Sequence, residues 1–282
     1  MEHQDLHKSL IESGQKQTFE TYYSKIDADY GERTSTAYHQ HRVTMYTDLI
    51  ARHDMDWNGQ SVIDFGCGDG LFGEIFSEKG AFTTNIDPSQ HLMDICSQRL
   101  ARFGDRAKMI CGSLDALAAI PDNSHTCIAA FDVLDYLSLE DERTFYAECA
   151  RILKKGGLIL SSHSNELFDL YTFNRYTVDF FSRHFGVDVA TLVTHPTKPL
   201  RSMANIRGNP LSHGQKVAPY GFDVRETAYL MHHDKPPLLM PEFDPDALDR
   251  RTFFDTRTAA PIDRWKLNFT CSVFGVSSEK VR

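Results

Sequence analysis

The chain has 282 residues, of which 41% are hydrophobic and 24% are charged. These are ordinary values for a globular protein, so they exclude disorder on a large scale, and the length favours one core with additions over two full domains. The formal net charge is −9 at pH 7, and no run of five basic residues occurs. Because non-specific nucleic-acid binding depends on clustered Lys and Arg, we expect no nucleic-acid partner.

The spacing of the cysteines and the polarity of the first residues indicate the cellular compartment. The six cysteines contain no C-x-x-C pair, so the sequence suggests neither a metal site nor a disulfide framework. The opening stretch MEHQDLHKSLIESGQ is polar and lacks the apolar part of a signal peptide, and no run of about 18 apolar residues follows. We expect a cytoplasmic protein without a membrane partner.

The first part of the chain has helical spacing, and the middle alternates between two kinds of segment. Residues 1–57 carry apolar side chains at helical intervals, such as Val43, Tyr46 and Ile50, which predicts an N-terminal helical lid. From Ser61 onward, short apolar runs alternate with helical stretches: SVIDF, LFGEIFSEK, FTTNID, HLMDICSQRLARF, AKMICG, CIAAFDVL, DERTFYAECARIL and LILSSH. This alternation predicts an α/β core with a mostly parallel sheet and helices on both faces, because parallel strands need crossover connections.

The remaining part of that core, over residues 58–282, is read from weaker patterns. KKGG at 154–157 predicts a turn that ends the last helix before LILSSH, and DLYTFNRYTVDFFSRHF predicts an aromatic-rich helix. Both YGFDVRETAYLMHH and RWKLNFTCSVFGVSS predict strands. The proline-containing segments 186–214 and 234–262 are too long for ordinary loops, so we expect insertions on the substrate side.

The stretch VIDFGCGDG, residues 62–70, carries the most chemical information. An apolar strand runs into a glycine-rich turn before a helix, and such a turn lets a ligand approach the main chain closely. Leu71 stands where the third glycine of a dinucleotide fingerprint belongs, so pyrophosphate binding is disfavoured. Asp64 suits a ligand with an ammonium group, because a carboxylate would repel a phosphate.

VIDFGCGDG resembles the first motif of the class I S-adenosylmethionine-dependent methyltransferases, and the similarity continues over roughly residues 60–165. The resemblance implies a Rossmann-like seven-stranded sheet with an antiparallel last strand. It also implies S-adenosyl-L-methionine as cofactor and S-adenosyl-L-homocysteine as product. Asp87, at the end of FTTNID, matches the acid that binds the ribose hydroxyls, and Ser113 and Leu114 match the adenine segment. The family often has an acid at the position of Ser113, so Asp115 is an alternative there.

The cofactor-binding residues that the resemblance implies lie in the glycine loop, after the next three strands and in the lid. They are Tyr30, Arg42, Asp64, Gly66, Cys67, Gly68, Gly70, Asp87, Pro88, Ser113, Leu114 and Phe131. Tyr30 and Arg42 are candidates to contact the methionine carboxylate, since Arg forms charge-assisted pairs with carboxylates. The same two residues also fit an ordinary helix surface.

Methyl transfer is an in-line displacement, so the protein mainly positions the acceptor and excludes water. If the acceptor is a hydroxyl, a histidine base would help, and His163 follows the fifth strand while His232 and His233 lie at the end of the sixth. We expect catalysis by His163 or His232, although each also fits ordinary packing. The expected contacts to a small-molecule substrate are Tyr136, Asn174, Arg175 and His233.

We expect transfer to an oxygen atom, because histidines are plentiful near the predicted site. Four alternatives stay open. The methyl acceptor could instead be a nitrogen atom, or it could belong to a macromolecule, although the acidic charge disfavours nucleic acid. From another class, a nicotinamide-dependent oxidoreductase shares the alternating sheet. A module that binds the cofactor without turnover is the fourth. Nothing in the sequence indicates which acceptor is used or which oligomer forms.

Overall fold

The computed structural model describes residues 37–53, 55–171, 207–232, 260 and 262–282. Tyr30, Asn174, Arg175 and His233 lie outside these residues, as do most of the two expected insertions. No helix in the described ranges is long and apolar enough to cross a membrane.

The described strands form one seven-stranded sheet in the order β3-β2-β1-β4-β5-β7-β6. The strands are β1 (Ser61–Phe65), β2 (Phe82–Asp87), β3 (Ala107–Cys111), β4 (His125–Ala130), β5 (Leu153–Ser164), β6 (Phe222–His232) and β7 (Cys271–Lys280). Neighbours among β1 to β5 pair in parallel, and β7 runs antiparallel to both β5 and β6. The expected mostly parallel sheet with an antiparallel last strand is therefore confirmed.

Helices connect the parallel strands, as the alternating pattern predicts. In the described ranges they are α1 (Ala37–Ala51), α2 (Leu71–Glu78), α3 (Gln90–Leu100), α4 (Leu114–Ala118), α5 (Leu139–Ile152), α6 (Glu166–Tyr171), α7 (His213–Val217) and α8 (Arg264–Thr270). Serine side chains cap the two longest crossover helices: Ser89 Oγ accepts the Leu92 N–H at 3.3 Å, and Ser138 Oγ accepts the Asp141 N–H at 3.0 Å. These caps fix where α3 and α5 begin.

The expected KKGG turn is wrong. Helix α5 ends at Ile152, and β5 begins at once with Leu153, which pairs with His125 of β4. Gly156 still has a φ of +79°, which explains the glycine signal. The glycines thus lie inside an irregular start of the strand.

The expected strand RWKLNFTCSVFGVSS is correct only in its second half, because Arg264–Thr270 forms α8. Trp265, Leu267 and Phe269 alternate along the sequence like a strand, yet Trp265 is 61% exposed while Leu267 and Asn268 are buried. Asn268 fixes the helical turn through tertiary hydrogen bonds: its Oδ1 accepts the Tyr229 hydroxyl, and its carbonyl accepts the Asn165 side chain. These distant partners decide the local structure.

Buried side chains pack on both faces of the sheet. Phe145, Tyr146 and Ile152 of α5 cover one face. On the other face, Tyr46 and Leu49 of α1 are buried among side chains of the strands. The described N-terminal helix therefore forms part of the packed layer over the sheet.

Candidate functional site

The glycine loop lies between β1 and α2 and is attached to the neighbouring strand. The backbone N–H groups of Gly66 and Cys67 both donate to the carbonyl of Ile86, at 2.8 and 3.0 Å. Gly66, Gly68 and Gly70 have φ values of +71°, +54° and +83°. These lie in the left-handed region of backbone conformation, which is unfavourable for residues that carry a Cβ. The three glycines therefore permit a bend that other residues would resist.

Asp87, at the end of β2, holds this bend in place. Its Oδ2 accepts the N–H of Gly68 at 3.0 Å, and its Oδ1 accepts the N–H of Ser89 at 2.9 Å. The residue is buried, and a carboxylate oxygen has two lone pairs, so it can accept from more than one donor. The structure thus joins the predicted acid to the predicted glycine loop.

Asp64, one residue before the end of β1, is 2% exposed. Its Oδ2 accepts the N–H of Gly73 at 2.9 Å, which anchors the start of α2. Burial raises the pKa of this carboxyl to about 7, and the nearby carboxylates of Asp87 and Asp69 act in the same direction. A cationic ligand beside Asp64 would oppose that shift and favour the ionised form.

The predicted adenine segment also lies beside Asp87. The N–H of Gly112 donates to the carbonyl of Asp87 at 3.0 Å, and the thiol of Cys111 lies 3.6 Å from the carbonyl oxygen of Pro88. Ser113 precedes α4, and its N–H donates to Asp115 Oδ1 at 2.8 Å. Ser113 and Leu114 are partly exposed, so this edge is open to a ligand.

The end of β4 touches the glycine loop from the other side. A Cβ added at Gly66 would lie 2.4 Å from the side chain of Val133, so only glycine fits there. Phe131 is buried against Tyr46 of α1, with ring centroids 4.8 Å apart and an interplanar angle of 10°. Phe131, predicted from the resemblance, thus lies in the chain segment that adjoins the loop.

Arg42 does lie near this segment, where it pairs with Asp132. Arg42 also donates to the Tyr46 hydroxyl at 3.0 Å, and Tyr46 in turn donates to Asp132 Oδ1 at 2.5 Å. Ser162 of β5 donates to the same Oδ1 at 3.1 Å. Sequence reasoning missed Tyr46, Asp132 and Ser162 as a group, since three separate elements supply them.

His163 lies on the other face of β5 from Ser162 and is buried. Its Nε2 is 2.9 Å from Ser161 Oγ, and its ring packs against His213 and Phe274 at centroid distances of 4.7 and 5.2 Å. Burial lowers the pKa of this imidazole well below its usual value. The structure does not bring His163 into contact with the glycine loop or with Asp132.

His232 ends β6 and pairs with Cys271 of β7. Strand β6 lies at the edge of the sheet, beyond β7 from the strands that carry the glycine loop. The two predicted histidine bases therefore lie at different places in the sheet.

Asp135 and Tyr136 lie in a short 3-10 turn, Leu134–Tyr136, after β4. Asp135 Oδ2 accepts the N–H of Ser164 at 2.9 Å and also its hydroxyl. Burial raises the pKa of Asp135 to about 6. Tyr136, a predicted substrate contact, is partly exposed in this turn.

A family model described as "Methyltransferase domain" matches residues 63–161. Relatives named ubiquinone biosynthesis O-methyltransferase include that of Idiomarina loihiensis, 28% identical over 42% of this chain and 47% of that protein. The one from Azoarcus sp. is 30% identical over 41% of this chain and 48% of that protein. The chain spans about half the length of the curated relatives that it matches.

Solved structures share the fold over most of the chain. A SAM-dependent methyltransferase from Archaeoglobus fulgidus has a TM-score of 0.54 and 15% identity, and covers 85% of this chain and 94% of that one. Geranyl diphosphate C-methyltransferase from Streptomyces coelicolor has a TM-score of 0.53 and 15% identity, and covers 84% and 79%. The domain match over residues 63–161 and the shared fold agree with the resemblance that the glycine loop and Asp87 carry, which is to the class I S-adenosylmethionine-dependent methyltransferases.

Proposed function

We propose that this protein transfers a methyl group from S-adenosylmethionine to an oxygen atom of a small molecule. The observation that carries the proposal is the junction of the glycine loop with Asp87, which places a buried carboxylate beside a bend with bare Cα atoms. The preference for oxygen is supported by relatives named as O-methyltransferases. The acidic net charge supports a small molecule over nucleic acid.

The residues around the loop fit this cofactor in chemical type. Asp87 offers acceptors to the ribose hydroxyls, and the edge formed by Pro88, Ser113 and Leu114 would hold the adenine. Asp64 would interact electrostatically with the ammonium group, and that interaction would favour the ionised carboxylate. When bound, the cofactor supplies an electrophilic methyl carbon on a sulfonium.

The chain's own task is then to orient the acceptor oxygen about 3 Å from that carbon and to exclude water. The transfer would form a C–O bond at the acceptor as the C–S bond breaks with its electron pair on sulfur, and the hydroxyl proton would leave to a base or to water. His163 and His232 stay candidates for that base. His163→Gln and His232→Gln test them, because loss of the base should flatten the pH profile of kcat without changing cofactor affinity.

Calorimetry tests the cofactor part of the proposal. We expect both S-adenosylmethionine and S-adenosylhomocysteine to bind, whereas NADH should neither bind nor raise the Tm. Stabilisation by NADH alone would favour an oxidoreductase and contradict the proposal.

Turnover with catechol, protocatechuate, caffeate, an amine and a carboxylate tests the transfer itself. Methyl ether formation from any hydroxyl compound supports O-methylation, and transfer only to the amine would support an N-methyltransferase. Tight cofactor binding without product across the panel would favour a binding module.

A further inference from the structure

Three donors converge on one oxygen of Asp132, at the end of β4. Oδ1 accepts from the Tyr46 hydroxyl at 2.5 Å, from Ser162 Oγ at 3.1 Å and from the Arg42 guanidinium. Within the described part of the chain, no group donates to the other oxygen, Oδ2. The side chain is 32% exposed. One oxygen is therefore saturated by the protein, and the carboxylate can still accept a donor from a ligand at the other.

The backbone at Asp132 is strained in a way that fixes the direction of this side chain. Its φ is +58°, in the left-handed region that costs an L-residue free energy. The hydroxyl of Ser162 accepts the N–H of Asp132 at 2.8 Å, which helps to hold that conformation. Strained residues of this kind cluster at ligand sites, where the surrounding contacts maintain the strain.

Asp132 also lies where this sheet forms its ligand crevice. Strand β1 pairs with β2 on one side and with β4 on the other, so the strand order reverses between β1 and β4. Ligands of open α/β sheets bind outside the carboxyl ends of the strands at such a reversal. Val133, the next residue, already contacts Gly66 of the glycine loop. Asp132 is thus at the edge of the expected cofactor site.

We propose that Asp132 binds the methyl acceptor, with Oδ2 accepting the hydrogen bond of the hydroxyl group that is methylated. This assignment rests on the proposed methyl transfer and specifies its acceptor class. The carboxylate offers a lone pair and therefore selects a donor. Because the Arg42 guanidinium neutralises the same carboxylate, a second cation gains little attraction there, and a neutral O–H donor is preferred over an ammonium group.

Asp132→Asn in the full chain is the direct test. Asn retains an oxygen for the donors from Tyr46 and Ser162 but presents an NH₂ group in place of Oδ2, which cannot accept a hydrogen bond. With catechol, protocatechuate and caffeate as probes, we expect kcat/KM to fall about 10- to 100-fold, mainly through KM. The Kd for S-adenosylhomocysteine should change less than about twofold. Asp105→Asn, which removes the same charge at an exposed position, is the matched control.

A second variant covers the case in which Asp132→Asn folds poorly. Asp132→Gly relieves the positive φ and also removes the carboxylate, so it should fold and bind S-adenosylhomocysteine yet lose affinity for the hydroxyl probes. Probe binding is read by saturation-transfer NMR on the protein loaded with S-adenosylhomocysteine, which needs no turnover.

The outcomes separate the two proposals. Unchanged probe binding and unchanged kcat/KM in both variants would overturn the role of Asp132, as would faster methylation of an amine probe than of any hydroxyl probe. If the wild-type protein binds S-adenosylhomocysteine but no hydroxyl probe, the acceptor assignment fails while the cofactor site stands. If the wild-type protein does not bind S-adenosylhomocysteine at all, the proposed function itself fails.

Discussion

Replacing Asp87 with Asn tests the cofactor site most directly. In the structure both carboxylate oxygens already accept a backbone N–H, one from Gly68 and one from Ser89. An amide has only one oxygen, so its NH₂ group must face one of these N–H donors. The substitution therefore costs the protein one hydrogen bond before any ligand is considered.

The two parts of the effect have different sizes and readouts. A hydrogen bond to a charged group contributes about 1.5–3 kcal/mol, and we expect the free energy of unfolding to fall by about that amount. The cofactor would also lose one of the two acceptors for its ribose hydroxyls. A loss of about 1.5–3 kcal/mol in binding corresponds to a Kd for S-adenosylhomocysteine about 10- to 150-fold higher.

Calorimetric titration at a temperature where the variant is fully folded measures the change in cofactor affinity. Urea unfolding measures the change in the free energy of unfolding. Asp94→Asn is a suitable control, because Asp94 is an exposed residue of α3 whose only described hydrogen-bond donor is Gln90. If Asp87→Asn bound S-adenosylhomocysteine within about twofold of the wild type while losing stability, Asp87 would be only a support of the loop. The ribose assignment would then be refuted.

Three further predictions concern burial. Leu49→Ala should lower the free energy of unfolding, measured by urea denaturation, by about 2–5 kcal/mol, because Leu49 is fully buried in the layer formed by α1. The control Leu139→Ala, at an exposed position, should change it by less than about 0.5 kcal/mol. A similarly small loss at Leu49 would mean that the helix is loosely attached. Burial lowers the pKa of His213 to about 4, so as the pH falls below about 6.5 the unfolded chain takes up this proton before the folded protein does. The free energy of unfolding of the wild type relative to His213→Leu should therefore drop by up to about 3 kcal/mol between pH 7 and pH 4. A difference that stays constant with pH would contradict a neutral buried imidazole. Burial raises the pKa of Asp64 to about 7, so an ammonium group that binds beside it near pH 6 should displace a proton from this carboxyl. The buffer takes up that proton, so the apparent binding enthalpy of S-adenosylhomocysteine should depend on which buffer is used. Asp64→Asn should remove this dependence.

Local patterns predicted the core of the fold because crossover geometry leaves few choices. Runs such as SVIDF and FTTNID become parallel neighbours, and the caps at Ser89 and Ser138 mark helix starts within the chain itself. The patterns failed at Arg264–Thr270, where alternation indicated a strand. There, Asn268 satisfies partners from β6 and from the end of β5, and such distant hydrogen bonds leave no local signal.

The candidate site likewise contains residues that could be predicted from the sequence and residues that could not. Gly66, Gly68 and Asp87 could be found from sequence, since a glycine bend and the acid after the next strand arrive at fixed places in consecutive βα units. The group around Asp132 could not, because Tyr46 precedes it by 86 residues. His163 shows a further limit of sequence-based prediction. Because both faces of the sheet are covered by buried side chains, the alternation along β5 does not reveal whether His163 or Ser162 faces α1.

The packing of α1 gives a reason to treat the cofactor and acceptor sides as one unit. The Tyr46 ring packs against both Phe131 at the end of β4 and Phe72 in the first turn of α2, at centroid distances of 4.8 and 5.8 Å. Its hydroxyl, whose pKa is raised by burial, remains a donor and reaches Asp132. One side chain thus contacts both the helix that begins at the glycine loop and the carboxylate assigned to the acceptor. A displacement of α1 would therefore alter the contacts of Tyr46 on the cofactor side and on the acceptor side together.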